Sequence, residues 1–328
     1  MFPRTLCVWQ NWRNKLQLTR KELNKIAREQ GFVRDTLEKV YRLQDILVFM
    51  NSHPLMKERL ALKGGTAINL TVFNLPRLSV DIDLDYSVDI DREGMLEERK
   101  IIAQDLEKYM FSQRYEQSPK SKSRHSLESY IYVYTNTAGV RDNIKIEINY
   151  SMRTHVLPLV QREVVTNGIL EKNRILAVAG IELFGSKIKA LLDRAAARDL
   201  YDVSNMIKYG LFDNGETDLL RKCTLFYMAV GNDEVPEMID IDKIDDITFR
   251  KIHTDLLPVK RLNEEFNLIN VKKIVKEYLT DLMQLTATEK EFLKEFRQKH
   301  YRPELLFEDK EIVRRLENHP MALWKMQQ

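Results

Sequence analysis

The chain contains very few cysteines. Its 328 residues include two, Cys7 and Cys223, which are far apart and form no Cys-x-x-Cys spacing. This usage argues against a disulfide framework or a zinc site, and is typical of the reducing cytosol. Glycine and proline are also scarce, with 11 and 9 residues, so we expect no long flexible linker and lobes that pack directly together.

Long apolar runs and an excess of one charge are lacking too. No stretch approaches the roughly 18 apolar residues of a membrane span, and residues 1–16 lack the apolar run of a secretory signal. We therefore expect a soluble cytoplasmic protein with no membrane partner. The formal net charge of +3 excludes a histone-like nucleic-acid coat, so any nucleic-acid partner must be bound by local basic surfaces.

The residue pattern predicts an α+β fold with two lobes. The N-lobe, residues 1–182, should hold a mixed sheet with helices, and the C-lobe, residues 183–328, should be helical. Thr19 and Glu22 have the spacing of a capping box at the start of a helix pair broken near Gly31. Further helices are expected at 66–73, 101–111, 186–208, 217–230, 271–284 and 288–300. Strands are expected at 60–62, 80–86, 129–135, 143–150 and 176–181, with a polar loop at 117–125 and a solvated loop or helix edge at 239–247.

Lys63-Gly64-Gly65-Thr66 is predicted to turn from a strand into a helix. Paired glycines let the backbone approach a phosphate closely, and the first amides of a helix face outward to an anion. Many Gly-Gly pairs only serve a turn, so this motif needs support from others.

The segment 79–85 alternates acidic and apolar residues. On a strand, Asp81, Asp83 and Asp85 would project to one face. Crowded carboxylates repel unless a cation intervenes, and Mg²⁺ binds through one or two carboxylates plus substrate phosphates. A solvated strand is the alternative, but Asp is disfavoured in strands. Glu147, between two isoleucines on a later strand, would complete a triad, unless it is an ordinary exposed strand residue.

Together these motifs resemble the nucleotidyltransferase superfamily that shares a polymerase-β-like core. Its pattern is Gly-Gly or Gly-Ser, a helix, Asp-x-Asp on the next strand and a third carboxylate on a later one. Asp is commoner at that third position, where this chain has Glu147. More narrowly, KGGTAINL and PRLSVDIDLD are similar to the signature of the AbiEii toxin family, which is related to the mycobacterial MenT toxins. The segments at 182–191 and 198–202 match two further motifs of that family.

The resemblance implies an enzyme that uses an NTP and Mg²⁺ to transfer a nucleotide to RNA. Transfer RNA 3′ ends are the best-known acceptor, blocked aminoacylation is the toxic result, and an AbiEi-like antitoxin is the implied protein partner. Asp81 and Asp83 would hold the metal, with Glu147 as a further ligand. Lys187 would neutralise phosphate charge, and Asp202 resembles a residue required for activity. The residues expected to line the nucleotide pocket are Gly64, Gly65, Thr66, Ser79, Arg77 and Arg198.

The later motifs have their own geometry. On a continuous helix, Lys187, Arg194, Arg198 and Asp202 would lie within roughly 80° of each other and could close over a triphosphate. A solvated charged face is the alternative. If the helix breaks before Asp199, that residue becomes a candidate N-cap. The polar loop with Lys120, Lys122, Arg124 and His125 is a candidate contact for an RNA backbone.

Three other functions remain open at this point. Nucleotidyl transfer to a small molecule would need an acceptor pocket in the C-lobe, and transfer to a protein side chain is a variant of the same chemistry. An NTP-binding protein without transfer activity would not need both Asp81 and Asp83. A structural helical adaptor would leave Gly64-Gly65 and the acidic strand unexplained.

Overall fold

The computed structural model describes residues 18–165, 173–232 and 234–328. Cys7 and the opening segment therefore lie outside the described residues. Cys223 is buried and carries a free thiol.

A single mixed sheet forms the centre of the described chain. Its strands are β1 (Leu60–Lys63), β2 (Asp81–Tyr86), β3 (Glu116–Gln117), β4 (Lys122–Ser123), β5 (Leu127–Thr135), β6 (Arg141–Asn149), β7 (Val160–Val164) and β8 (Asn173–Ala177). They lie in the order β3-β5-β6-β2-β1-β8-β7, with β4 also paired to β5. β2 runs parallel to β6 and antiparallel to β1, so the strand with Asp81 and Asp83 lies next to the strand with Glu147.

Helices precede, cover and follow the sheet. They are α1 (Arg20–Gln30), α2 (Arg34–Ser52), α3 (Met56–Arg59), α4 (Gly64–Ala67), α5 (Arg92–Ser112), α6 (Gly180–Arg194), α7 (Ala197–Lys208), α8 (Thr217–Gly231), α9 (Phe249–Lys251), α10 (Leu268–Leu282), α11 (Ala287–Arg297), α12 (Lys310–Leu316) and α13 (Pro320–Met326). A π-helical segment, Ile68–Val72, continues α4.

One face of the sheet is apolar and covered by α2 and α5. Ile82 and Leu84 of β2 and Ile146 of β6 are buried on this face. The Tyr86 hydroxyl donates to Glu98 of α5 at 2.6 Å, and the guanidinium of Arg42 on α2 lies 4.2 Å from the Tyr134 ring centroid. Because strand side chains alternate, the residues between these face the opposite side, where no α2 or α5 side chain can neutralise them.

A buried carboxylate, Glu182, joins the sheet region to the later helices. Glu182, in the first turn of α6, accepts hydrogen bonds from the Val156 and Leu157 amides at 2.9 and 3.0 Å. It also accepts one from the Tyr227 hydroxyl of α8 at 2.6 Å. The proposed division near residue 182 thus falls inside a helix that is anchored on both sides.

The sequence-based fold class is confirmed, since a mixed sheet is followed by a largely helical region. The helix pair broken at Gly31 and the capping box of Thr19 and Glu22 are also observed. Gly31 ends α1 with a φ of +72°, a conformation that costs glycine little.

Several predicted boundaries were wrong. α5 begins at Arg92 rather than Ile101, because Asp91 caps it by accepting from the Gly94 amide. The predicted loop 117–125 contains β4 and borders β3, and β7 was missed because its residues Gln161, Arg162 and Glu163 are exposed and polar. The predicted strand 176–181 ends at Ala177.

Two further predictions differ from the structure. The expected helix 186–208 is two helices, α6 and α7, separated at Ala195, whose φ is +46°. The run 239–247 is not only solvated, since Asp242–Asp246 forms a 3₁₀ turn that buries Ile244, with Ile247 buried directly after it. Among the described residues, no helix combines the length and apolar character needed to cross a membrane.

Candidate active site

The Gly64-Gly65 turn lies directly against the acidic strand. Gly64 follows the last residue of β1 and has a φ of +68°, which favours glycine. A Cβ built on Gly64 would lie 2.5 Å from Oδ2 of Asp83, and one on Gly65 would lie 2.9 Å from Nη2 of Arg77. Gly64 therefore requires glycine, and a side chain at position 65 would displace the Arg77 guanidinium. The helix begins at Gly64, two residues before the predicted start at Thr66.

A cross-strand row brings charged residues from three strands together. In the sheet register, Lys63 of β1 lies opposite Asp83 of β2, and Asp83 lies opposite Glu147 of β6. Directly paired residues share a face and neighbouring strands are about 4.8 Å apart. Asp81 lies two residues before Asp83, on the same face and also half-buried. Asp81, Asp83 and Glu147 therefore occupy one side of the sheet beside the glycine turn.

The electrostatics of Asp83 reflect this crowding. Burial raises the pKa of the Asp83 carboxyl, and the negative charges of Asp81 and Glu147 raise it further, while Lys63 and Lys187 act to lower it. The net pKa lies above the ordinary value for Asp. A cation placed here would remove the repulsion, so the site favours a metal or another positive group.

The donor set fits a metal held by two carboxylates. Asp81 and Asp83 offer the hard oxygens that Mg²⁺ prefers, and substrate phosphates and water commonly supply its other ligands. Glu147 is instead paired with Lys145, whose Nζ lies 2.9 Å from Oε2. Among the described residues no three acidic, histidine or cysteine side chains form a ready-made metal cluster. The role of Glu147 as a metal ligand stays a prediction.

Asp85, the third acid of the strand, has a different environment. It is buried and forms an ion pair with Lys63 at 2.5 Å between Nζ and Oδ1. Its charge is therefore matched within the protein, whereas Asp81 and Asp83 form no ion pair with another described residue.

Thr66 and Ser79 are buried beside the turn. The Thr66 hydroxyl donates to Ser79 Oγ at 2.9 Å and lies in hydrogen-bond contact with the Asp81 carbonyl. These contacts fix the backbone where the acidic strand begins. In this arrangement the two hydroxyls position Asp81.

A second ionic cluster, buried except for Arg194 at its edge, lies next to the turn. The Arg77 guanidinium donates twice to Asp202, from Nε at 2.7 Å and from Nη2 at 2.6 Å. Lys187 Nζ lies 3.2 Å from Asp202 and 2.8 Å from Asp199, and Arg194 Nε donates to Asp199 at 2.7 Å. Arg77, held by Asp202, thus lies directly against the Gly64-Gly65 turn.

The cluster depends on the break between α6 and α7, so the prediction of one continuous helix was wrong. Ala196 is the N-cap of α7, and Asp199 lies in its first turn rather than at the cap. The reversal folds Asp199 and Asp202 back towards Lys187 and Arg194. Arg198 is half-buried, and no hydrogen bond or ion pair links it to another described residue.

Sequence reasoning missed two residues that the structure brings to the site. Lys63 lies opposite Asp83, and Asn69 donates to the Gly65 carbonyl at 2.8 Å. Arg194, which was predicted to face the triphosphate, lies within electrostatic reach of Asp83. Lys63 and Asn69 stand inside the Lys-Gly-Gly-Thr segment and its helix, so their proximity to the glycines was the available signal.

Comparisons with known proteins give the chain its family. The sequence model of the AbiEii family, described as a nucleotidyl transferase toxin of type IV toxin–antitoxin systems, matches residues 45–309. No curated protein matches the sequence. Among solved structures, MenT4, a nucleotidyltransferase toxin from Mycobacterium tuberculosis H37Rv, is similar with a TM-score of 0.59 at 18% identity, covering 93% of this chain and 99% of that chain. At this identity the likeness concerns the fold, and the family match, over most of the chain, shows that the protein belongs to the AbiEii family of nucleotidyltransferase toxins.

Proposed function

We propose that the protein transfers a nucleoside monophosphate from an NTP to an RNA acceptor, releasing pyrophosphate. The observation that carries this proposal is the row of Lys63, Asp83 and Glu147 across three strands beside the Gly64-Gly65 turn. It places negative charge that lacks a full counterion next to backbone amides suited to a triphosphate.

The charged groups divide the work of the reaction. Mg²⁺ held by Asp81 and Asp83 would neutralise the triphosphate and favour attack on its α-phosphorus. Lys187 and Arg194 of α6 are both within electrostatic reach of Asp83. They would stabilise the charge that develops on the departing pyrophosphate. Glu147 would orient the acceptor hydroxyl or add a second metal ligand.

Asp202 acts through other residues in this proposal. It is fully buried and holds Arg77 and Lys187, so it positions a cation rather than touching the substrate. Asp199 does the same for Lys187 and Arg194. Arg77 is held by Asp202, and Arg198 remains an additional candidate for the phosphates.

The acceptor side of the site favours RNA. Lys122 of β4 pairs in register with Ser129, which pairs with Glu147, so Lys122 extends the charged row towards the exposed edge of the sheet. Lys120, Arg124 and His125 nearby are also exposed. An open edge with several cations suits a ribose–phosphate backbone better than an enclosed small-molecule pocket.

A transfer RNA 3′ end is the proposed acceptor. Addition of a nucleotide there would block aminoacylation and so translation, which accounts for toxicity. The antitoxin partner that the family implies would then limit this activity. Magnesium dependence, the RNA acceptor and the translation block form one testable proposal.

The test is a transfer assay with purified protein, Mg²⁺, total tRNA and each labelled NTP in turn. RNA should become labelled, and Asp81→Ala should abolish labelling because the metal loses a ligand. Glu163→Ala is the matched control, since Glu163 is an exposed strand carboxylate on β7, at the far edge of the sheet. Circular dichroism would verify that both variants are folded.

Each alternative acceptor gives its own result. Equal labelling by Asp81→Ala would reject the metal site. Labelling of a small molecule or of protein without RNA would replace the RNA acceptor. NTP binding without any transfer would leave only a nucleotide-binding protein.

A further inference from the structure

A cavity of about 400 Å³ opens where β2 and β6 end. Its wall includes Ser87, which directly follows β2, and Arg153, four residues beyond the end of β6. β2 and β6 are parallel and paired, so both leave the sheet at the same edge. The cavity therefore lies at the carboxyl ends of the two strands that carry Asp81, Asp83 and Glu147.

The cavity is close to the proposed reaction centre but separate from it. Ser87 is four residues beyond Asp83, which corresponds to roughly 13 Å at about 3.3 Å per strand residue. Along β6 and the segment after it, Glu147, Asn149, Ser151 and Arg153 are all half-exposed. These alternating polar residues form a strip that leads from the acidic site to the cavity.

The opposite wall of the cavity is basic. Arg314 and Arg315 of α12 line it, are exposed, and form no ion pair with another described residue. Arg153 uses one guanidinium nitrogen to donate to the Ile90 carbonyl at 2.8 Å, which holds its side chain in place. The acids Asp89 and Glu311 also line the cavity, and neither forms an ion pair there with a described residue. Three guanidinium groups therefore face two carboxylates, leaving the cavity with positive charge.

The cavity also has an apolar side, formed by Val88, Leu157 and Leu159. Its buried side is fixed by His155, whose Nε2 lies 2.8 Å from Ser87 Oγ and which is therefore committed within the protein. Arginines suit a phosphate, and an apolar wall suits the face of a base. A volume of about 400 Å³ is within the range of small-ligand sites.

We propose that this cavity binds a nucleotide unit of the acceptor RNA strand, upstream of the end that reacts at Asp81 and Asp83. The inference rests on the proposed function, because it assumes that the acceptor is RNA. Arg314 and Arg315 bind the backbone phosphate, Arg153 contacts the same phosphate from the other wall, and the apolar side packs against the base. The RNA strand runs along the half-exposed strip of β6 and the segment after it, from the cavity to the acidic site.

The experiment measures binding of a fluorescein-labelled single-stranded RNA by anisotropy, without NTP. Arg314→Gln/Arg315→Gln should raise the dissociation constant roughly tenfold. It should also reduce the steepness of the plot of log affinity against log salt concentration by about 0.7, the contribution of one phosphate contact to a single strand. Arg153→Gln, from the opposite wall, should weaken binding in the same direction. The matched control is Lys57→Gln/Lys100→Gln, because both lysines are exposed and neither forms an ion pair with a described residue. Melting temperatures verify that all variants are folded.

The outcomes separate this site from the proposed function. Equal RNA affinity for the Arg314/Arg315 and Lys57/Lys100 variants would overturn the site, even if the wild type labels RNA. RNA binding that depends on the arginines, without any nucleotide transfer by the wild type, would support the site and reject the proposed function. A third arm titrates AMP: binding of AMP that needs Arg314 and Arg315, with RNA affinity unchanged, would assign the cavity to a free nucleotide and overturn the acceptor strand.

Discussion

Asp83 and Asp202 are the same residue type, and Lys187 lies near both, yet their surroundings are opposite. Asp83 is half-buried on the sheet, faces Glu147 and follows Asp81, and its pKa is raised by burial and by these like charges. Asp202 is fully buried and accepts two hydrogen bonds from Arg77, with Lys187 Nζ at 3.2 Å. Asp83 forms no ion pair with another described residue and feels Lys63 and Lys187 only at longer range, whereas Asp202 is in direct contact with two cations.

This difference in environment suits Asp83 to binding a cation and Asp202 to holding the structure around it. Carboxylates forced together raise the free energy of the folded chain unless a ligand cation arrives, so such a group is maintained for its chemistry. A buried carboxylate with matched cations stabilises the geometry only while all its partners remain. The comparison therefore predicts opposite effects of neutralising Asp83 and Asp202.

The largest effect on folding is expected for Asp202→Asn. The substitution leaves Arg77 and Lys187 as buried cations without a full counterion, which should lower the free energy of unfolding by about 3–5 kcal/mol. Urea unfolding followed by circular dichroism measures this. Asp281→Asn is the control, since Asp281 is exposed on α10 and forms no ion pair with a described residue, and it should change stability by less than about 0.5 kcal/mol.

A double variant sharpens this first prediction. Arg77→Met/Asp202→Asn should lose less stability than the sum of the two single changes, because the buried guanidinium is removed together with its partner. Additive losses, or a loss below about 1 kcal/mol for Asp202→Asn alone, would show that the cluster is not a matched ionic unit.

Asp83→Asn should show the reverse pattern. Nucleotide transfer should fall by about 10²–10³-fold or more, the loss expected when a group that stabilises transition-state charge is removed. Stability in EDTA at neutral pH should stay unchanged or rise, since the substitution removes a charge that burial and its neighbours disfavour. Asp85→Asn, on the same strand face, should instead lose stability because Asp85 is buried in an ion pair with Lys63. If Asp83→Asn unfolds the protein, the carboxylate is structural and the comparison fails.

The arrangement of the acidic strand and the glycine turn could be predicted from sequence. The alternation of Asp81, Asp83 and Asp85 with apolar residues fixes which side chains share a face, and the Gly64-Gly65 pair predicts a tight turn. Both are local properties of a few consecutive residues. The face of the sheet to which they belong follows once β1 and β2 are paired.

The buried ionic cluster around Asp202 could not be predicted in the same way. Asp202 and Arg77 are 125 positions apart, and their contact depends on the reversal at Ala195, an alanine with a positive φ. Alanine is a strong helix former, so no local signal marks a break there. The helical periodicity instead indicated one long helix, and Asp85 gave no sign that Lys63 would neutralise it. Long-range ion pairing is set by tertiary packing, which periodicity does not contain.

The smallest expected effect concerns Asp199, where pH tests the comparison. Burial acts to raise the pKa of Asp199, but Lys187 and Arg194 outweigh it and lower the pKa from 3.8 to about 2. A carboxylate with a depressed folded-state pKa adds stability above its unfolded pKa, and that stability is lost as pH falls through the folded value. Asp199→Asn should therefore be less stable than wild type by about 2 kcal/mol at neutral pH.

The pH dependence of that gap carries the test. Between pH 4 and pH 2 the gap should close, because Asp199 becomes protonated in the wild type and its ion pairs with Lys187 and Arg194 are lost. Urea midpoints of both proteins across this range measure it, and comparing the two curves removes the titration of all other carboxylates.

For Asp83 the sign is opposite: its raised pKa makes the wild type gain stability, relative to Asp83→Asn, as pH falls. Each variant gives a difference in stability from the wild type that changes with pH. If these differences change in the same direction for Asp83→Asn and Asp199→Asn, the fold compensates the charges of the two carboxylates in the same way, and the comparison fails.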